Sequence, residues 1–374
     1  MRNIELFNTT FFDLPKKNYD VPYLDYISSN LEEYLKRINK FEGEIKDVIE
    51  KNRENLEILC SCILNSTKLY LEGKTFNAYN NLSKGLDKVK DSLFFPNENR
   101  IMLMGNSRRN FYKIRESYIK IKNRRDIFHI PFERKHLVST NRYSIPGVPC
   151  VYLGNSIQTC WKELRSPKIK YLYATRYEVD LNTINLLDIS MTNKEIFNLN
   201  KALIEKGMDR KYVFLEQAIL TWPLAFACTI QTKYPFANFK EEYIIPQMLM
   251  QWCKTTLDID GIKYLSTIEG NEKYKNLRPH SISIAIPIKS INYKGYCPEI
   301  TKLFQCTEPI NIFSLKHLRK KELSEAEMKL WLEKDNGSVP NYVLRSMIAK
   351  KHKFTFFDRV EVELNKLATE IPIS

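Results

Sequence analysis

The spacing of hydrophobic positions predicts helices in the first hundred residues. Over residues 30–93, apolar side chains recur every three or four positions, which is typical of one face of an amphipathic helix. Residues 72–74 interrupt this pattern, while Ser28 and Ser29, just ahead of the first apolar run, favour a capped helix start there. The pattern predicts an all-helical N-terminal region over residues 1–100.

After residue 100 the pattern changes to short segments that are rich in β-branched and aromatic residues, as in strands. The segments predicted as strands are 171–179, 184–189, 261–266 and 282–288. Helical spacing returns at 213–220 and 241–252, where Pro246 predicts a kink. The mixture predicts an α+β domain over residues 101–310.

The remaining residues, 311–374, are predicted to form a C-terminal helical extension. A helix is predicted at 324–333, with Ser324 as its cap and Glu327 as the capping-box partner. A second apolar-patterned stretch covers 342–367.

Composition indicates an ordered protein with an uneven charge. The 374 residues are 43% hydrophobic and include only 11 glycines, which argues against disorder. The net charge is +14, and residues 101–140 alone hold ten basic and three acidic side chains. Such a segment can attract a polyphosphate ligand or a nucleic-acid backbone, although it also fits a solvated basic surface.

Targeting and metal-binding patterns are not found in the sequence. The first twenty residues are interrupted by charges, and no window of about eighteen apolar residues occurs. The eight cysteines form no CxxC pair with matching histidines, so no zinc site is expected. We therefore expect a cytoplasmic protein with reduced thiols and no metal.

The densest group of unusual residues runs from Arg142 to Gly154, in the sequence RYSIPGVPCVYLG. Its two prolines and two glycines predict a fixed turn that leads into a short strand, CVYL. The sequence NSIQTCWKELRSP follows and predicts a helix capped by Asn155 or Ser156. Glu163 would lie about two turns into that helix.

This arrangement resembles the RES domain. The resemblance rests on Arg142, a glycine-proline turn, Tyr152, Glu163 and, further along, the segment DGIKYLS that ends at Ser266. It covers roughly residues 111–290 and implies a fold similar to ADP-ribosyltransferase toxins. The implied activity is the degradation of NAD+ at the bond between nicotinamide and ribose, as an NAD+ phosphorylase or glycohydrolase.

The resemblance also implies partners. NAD+ is the substrate and not a bound cofactor, inorganic phosphate is the co-substrate if the reaction is phosphorolysis, and the family includes toxins of bacterial toxin–antitoxin pairs. We therefore expect a toxin or defence effector with an antitoxin or regulatory protein as partner. The N-terminal helices are candidates for oligomerisation, sensing or inhibition.

The chemistry of the reaction suggests catalytic roles for Arg142, Glu163 and Ser266. Departure of nicotinamide builds positive charge on the ribose, which the carboxylate of Glu163 can stabilise. A guanidinium offers the NAD+ diphosphate several fixed donors, so Arg142 is the candidate for that contact, and Arg115 and Arg134 are candidates for a second phosphate contact. Ser266 can hydrogen-bond the ribose, the carboxamide or a phosphate.

Aromatic residues complete the predicted binding site. Tyr152 is the first candidate for stacking on the cationic nicotinamide ring, and Tyr143 the second. His129 and His136 are expected to have structural roles, because nicotinamide leaves without a general acid.

Two other functions remain open. The same pocket can transfer ADP-ribose to a macromolecule, provided that an acceptor surface is exposed. A basic nucleic-acid-binding protein with an inactive RES-like segment is the third possibility, although no zinc finger, RNP-like run or long basic helix supports it.

Overall fold

The protein is described by a computed structural model that covers residues 2–94, 108–205, 207, 212–268, 281–320, 322–334 and 355–372. The chain divides into two compact units, each assembled from segments that are distant in the sequence. The first comprises Met1–Pro96, Thr140–Ile145 and Leu187–Thr267, and the second comprises Asn97–Ser139, Pro146–Leu186 and Ile268–Ser374. The predicted boundary near residue 100 lies outside the described residues, so the predicted domain limits stay a prediction.

Helices and strands of the described residues are numbered in chain order. The helices are α1 (Arg2–Phe7), α2 (Tyr23–Ile38), α3 (Glu44–Lys51), α4 (Arg53–Leu71), α5 (Thr75–Leu93), α6 (Ile157–Glu163), α7 (Asn193–Glu205), α8 (Val213–Thr229), α9 (Ile244–Thr255), α10 (Pro298–Lys302), α11 (Glu325–Lys334) and α12 (Phe356–Asn365). The strands are β1 (Arg108–Glu116), β2 (Cys150–Gly154), β3 (Leu172–Asp180), β4 (Leu186–Ile189), β5 (Gly261–Leu265), β6 (Ile282–Pro287), β7 (Phe304–Cys306) and β8 (Ile310–Asn311).

The first unit is mainly helical and is organised around α8. Every residue of α8 except Glu216 is buried. The Trp222 ring stacks on Tyr34 of α2 at a centroid distance of 4.9 Å. Its Nε1–H donates to the Phe12 carbonyl at 3.2 Å, and the Tyr34 hydroxyl donates to the Ile219 carbonyl at 2.7 Å. The N-terminal helices therefore share one core with a helix from the middle of the chain.

Two local predictions in this unit are corrected by the structure. α2 begins at Tyr23, so Ser28 and Ser29 lie inside it and do not cap it. Their hydroxyls bind groups of the same helix, Ser28 through the Glu32 carboxylate at 2.9 Å. Pro246 lies in the first turn of α9, where the missing N–H costs nothing, and not at a kink within one helix.

The second unit contains an antiparallel sheet. β1 lies between β2 and β3, β2 also pairs with β6, and β3 also pairs with β7 and β8. Together with the helical first unit, where β4 and β5 are neighbours, this arrangement confirms the predicted α+β class. β1 was not predicted, because its sequence RRNFYKIRE reads as a charged segment.

Alternation along β1 divides the core of the second unit into two layers. Phe111 packs on one face of the sheet, in a cluster that includes Phe128 and Leu153. Tyr112 and Ile114 pack on the opposite face, where α6 and α12 cover the sheet.

The C-terminal helix α12 is held to this sheet by a buried arginine. Arg176 of β3 is 2% exposed and donates to the carbonyls of Leu364 at 3.3 Å and Leu367 at 3.0 Å. Leu364 lies in the last turn of α12 and Leu367 just after the helix, so Arg176 binds acceptors at the carboxyl end of α12. The predicted helix at 324–333 is confirmed as α11, with Ser324 and Glu327 forming the expected reciprocal contacts. Of the pattern over 342–367, α12 is described, while 342–354 lies outside the described residues.

Two positions require glycine for different reasons: Gly147 for its backbone conformation and Gly154 for the close packing of a helix. Gly147 follows Pro146 with a φ of 73°, which suits the third position of a type II turn. At Gly154, a Cβ would lie 2.8 Å from the Cys160 sulfur of α6. The absence of a side chain at Gly154 therefore lets α6 lie directly on β2.

Replacing Gly154 with alanine should lower the free energy of unfolding by about 1–3 kcal/mol, the usual cost of overpacking. The Cys160 thiol would have to leave its hydrogen bond to the Tyr112 carbonyl. We expect the cost to shrink in a C160A background, because alanine removes the clashing atom. Urea unfolding of the four variants measures this coupling, and an equal cost of G154A in both backgrounds would refute the proposed clash.

Candidate functional site

Helix α6 places Glu163 in the second unit and is fixed at its start by two side chains. At its start, the Ser156 hydroxyl accepts from the Thr159 N–H at 3.0 Å, which confirms the predicted cap. The Glu361 carboxylate of α12 is 1% exposed and accepts from the Ile157 N–H at 2.8 Å. A buried negative charge is stabilised at the amino end of a helix, so α12 holds α6 in position.

Glu163 is the last residue of α6 and contacts the sheet. The Ser283 hydroxyl of β6, which is fully buried, donates to the Glu163 carboxylate at 3.0 Å. This hydrogen bond fixes the carboxylate above the strand. Ser283 cannot be predicted from the sequence, because one serine within the apolar run ISIAIP carries no distinguishing signal.

Tyr152 lies on the same face of the sheet as Ser283. In the register of β2 and β6, Tyr152 is opposite Ala285 and Gly154 is opposite Ser283. Directly opposed residues of an antiparallel pair share a face, and diagonal neighbours lie about 7–8 Å apart. Since Ser283 binds Glu163, the structure brings Tyr152 and Glu163 to one face of the second unit, with Tyr152 partly exposed.

Arg115 lies on the opposite face of that sheet. It alternates along β1 with Ile114, which packs under α6, and its guanidinium donates to the Asp126 carbonyl. Lys113 shares the face of Arg115 and donates to the Phe128 carbonyl at 2.8 Å. The structure therefore does not bring Arg115 together with Glu163 and Tyr152, and its predicted contact with a phosphate stays a prediction.

Arg142 belongs to the first unit and is almost fully buried there. Its guanidinium donates to the carbonyls of Cys228 at 3.2 Å, Ile230 at 2.9 Å and Glu242 at 3.0 Å, and to the Thr232 hydroxyl at 3.1 Å. The first two carbonyls end α8 and lack partners within that helix. Four donors of Arg142 are thus engaged by the protein, which favours a role in ending α8 over direct binding of a diphosphate.

Tyr143 and Ser266 also lie in the first unit. The Tyr143 ring is 1% exposed and lies 4.1 Å from the Tyr264 ring, so it packs in the core and offers no open face for stacking. Burial raises the pKa of its hydroxyl well above the usual value. Ser266 directly follows β5 and is 8% exposed, which agrees with its predicted place at the end of a strand.

His129 has a structural place in the second unit. Its Nδ1 lies 2.8 Å from the Ile130 carbonyl, and its Nε2 accepts from the Cys297 N–H at 3.0 Å. This pair of contacts requires a neutral ring with the proton on Nδ1. Burial, the main cause, lowers the pKa of His129 to about 4. Both ring nitrogens are engaged, as the expected structural role requires.

Two further observations concern the described residues as a whole. No helix among them combines the length and the apolar composition needed to cross a membrane. Within the same ranges, no three side chains of His, Cys, Asp or Glu gather in a group that could hold a metal ion.

In this chain, the strand that carries Tyr152 is followed by the helix that carries Glu163. Comparison with known proteins agrees with the resemblance of this region to the RES domain. The RES domain family matches residues 119–287. The chain is also 32% identical over 310 residues to the Bacillus subtilis (strain 168) protein named "Putative toxin YopC", an alignment that covers 80% of this chain and 68% of that protein. The chain therefore belongs to the RES domain family. No solved structure matches it.

Replacing Arg142 with lysine should destabilise the protein, because an ammonium group cannot serve the four acceptors that surround the guanidinium. We expect the free energy of unfolding to fall by about 2 kcal/mol or more, as measured by urea unfolding. The exposed Arg125, changed to lysine, is the matched control and should have no such effect. Unchanged stability together with weaker binding of NAD+ would instead support the predicted contact of Arg142 with NAD+.

Ser283 should act as a positioning residue for Glu163. In an assay for the NAD+ degradation that the sequence predicts, we expect S283A to lower kcat about five- to tenfold with little change in KM, the kinetic equivalent of one hydrogen bond. S283T keeps the hydroxyl and should retain activity. As a control, T301V removes a buried hydroxyl that donates to the Cys297 carbonyl in the same unit. Equal losses of kcat in S283A and T301V would argue against a specific role of Ser283.

Proposed function

We propose that this protein degrades NAD+ by cleaving the bond between nicotinamide and ribose. The observation that carries the proposal is the placement of Glu163, whose carboxylate accepts from Ser283 on the same sheet face as Tyr152. Membership of the RES domain family supports the choice of substrate.

In the proposed reaction, the nicotinamide–ribose bond breaks and its electron pair leaves with the nicotinamide, which becomes neutral. Positive charge develops on the ribose and is stabilised by the Glu163 carboxylate, held in one orientation by Ser283. Tyr152 is the proposed stacking partner of the nicotinamide ring before cleavage. An oxygen of phosphate or water then bonds to the anomeric carbon, giving phosphorolysis or hydrolysis; in hydrolysis the attacking water loses one proton to the solvent.

The other predicted residues take different places in this proposal. Ser266 remains the proposed hydrogen-bonding partner of the substrate. For Arg142 and Tyr143, the contacts within the first unit support indirect roles, in which they hold the end of α8 and pack against Tyr264.

We further propose that the activity serves a toxin or defence function. The support is the alignment with the protein named "Putative toxin YopC", which extends well beyond the family match. Degradation of NAD+ would harm the producing cell, so an antitoxin or regulatory protein is the expected partner.

The test is the release of nicotinamide from NAD+ by purified protein, with and without inorganic phosphate. We expect E163Q to lower kcat by about a hundredfold or more, because a neutral amide of the same shape cannot stabilise the ribose charge. The exposed Glu116 of β1, changed to glutamine, is the matched control and should retain full activity.

The dependence on phosphate separates the two reactions. Turnover that requires phosphate and yields a phosphorylated ADP-ribose indicates a phosphorylase, whereas ADP-ribose formed without phosphate indicates a glycohydrolase. No nicotinamide release under either condition, or equal activity in E163Q and wild type, would overturn the proposal.

A further inference from the structure

Three segments of the second unit contain many cations and no carboxylate. Lysine and arginine together number four in residues 117–125, three in residues 165–171 and three in residues 311–320. Nine of these ten side chains are exposed: Lys120, Lys122, Arg125, Arg165, Lys168, Lys170, Lys316, Arg319 and Lys320. The exception is Arg124, which is paired with Glu308 and Glu370.

Hydrogen bonds to backbone carbonyls join these segments into one surface. The Ser117 N–H donates to the Tyr171 carbonyl at 2.8 Å, which ties the first segment to the second. The Asn311 side-chain amide donates to the Lys170 carbonyl at 3.3 Å, which ties the third segment to the second. We call residues 117–125, 165–171 and 311–320 together the cationic surface.

The cationic surface also exposes aromatic rings. Tyr118 is 78% exposed, and its ring lies 4.5 Å from that of Tyr171 at an angle of 45°. Lys170 lies over the Tyr171 ring at 5.6 Å, and Lys316 lies over the Phe313 ring at 4.8 Å. Proteins that bind single-stranded nucleic acid combine aromatic rings, on which bases stack, with positive charges that contact the phosphates. The cationic surface has both features.

We propose that the cationic surface binds single-stranded nucleic acid. Lysines and arginines would contact the phosphates, and Tyr118 would stack on an unpaired base. A duplex fits less well, because its bases are stacked on one another and offer no face to Tyr118. The residues involved differ from those assigned to NAD+, so this binding does not depend on the proposed function.

An acidic protein is the main alternative partner, and the composition of the surface argues against it. Six of the nine exposed cations are lysines. Lysine is depleted from protein–protein interfaces, whereas it is a common contact of nucleic-acid phosphates.

Fluorescence anisotropy with a labelled oligouridine of about fifteen nucleotides tests the proposal on the full chain. Four phosphate contacts would weaken binding about fiftyfold between about 50 and about 200 mM salt. The double variant K168E/K170E should bind about tenfold more weakly at low salt, with a salt slope that is smaller by about 1.4. Y118A should weaken binding about fivefold or more through the loss of base stacking.

The matched control is K84E/K88E, which changes the net charge equally at two exposed positions of α5 in the first unit. It should bind the oligouridine as wild type does. Equal weakening by both double variants would overturn the proposal, since the effect would then reflect net charge alone. Tighter binding of polyglutamate, equal binding of a duplex, or no binding at low salt would overturn it as well.

Discussion

The hydrogen bond between Ser283 and Glu163 depends on the direct contact of α6 with β2, where residue 154 has no side chain. The start of the same helix is held by Ser156 from within the chain and by Glu361 from α12. Packing thus sets the distance between α6 and the sheet, while hydrogen bonds fix the direction of the α6 axis. A carboxylate that has to face a developing charge gains from such fixed surroundings, since little rearrangement is needed during the reaction.

Each of the two units contains a buried arginine that binds carbonyl groups at the end of a helix. Arg142 binds the carbonyls of Cys228 and Ile230 at the end of α8, and Arg176 binds those of Leu364 and Leu367 at the end of α12. Both positions combine carbonyl acceptors near a helix end with its partial negative charge, which suits a guanidinium with several donors. A diphosphate makes similar demands, so residue type alone cannot separate an arginine that binds a substrate from one that ends a helix.

Periodic patterns predicted much of the fold. The strands β2, β3, β5 and β6, the cap at Ser156 and the helix of Ser324 and Glu327 follow from local sequence. β1 escapes such patterns because five of its nine residues are charged, and the common cap residues Ser28 and Ser29 place the predicted start of α2 too late. Ser283 and Glu361 could not be found in this way, since each acts on a helix more than a hundred residues away in the sequence. Their roles follow only from tertiary contacts.

The burial of α8 has a consequence for the evolution of the chain. Its Trp222 and Ile219 contact Phe12 and Tyr34, yet the helix itself lies within the segment that matches the RES family. A protein that lost its first hundred residues through recombination would expose an almost wholly apolar helix and would tend to aggregate. The N-terminal helices are therefore not an interchangeable module, and we expect them to be inherited together with the region that contains α8.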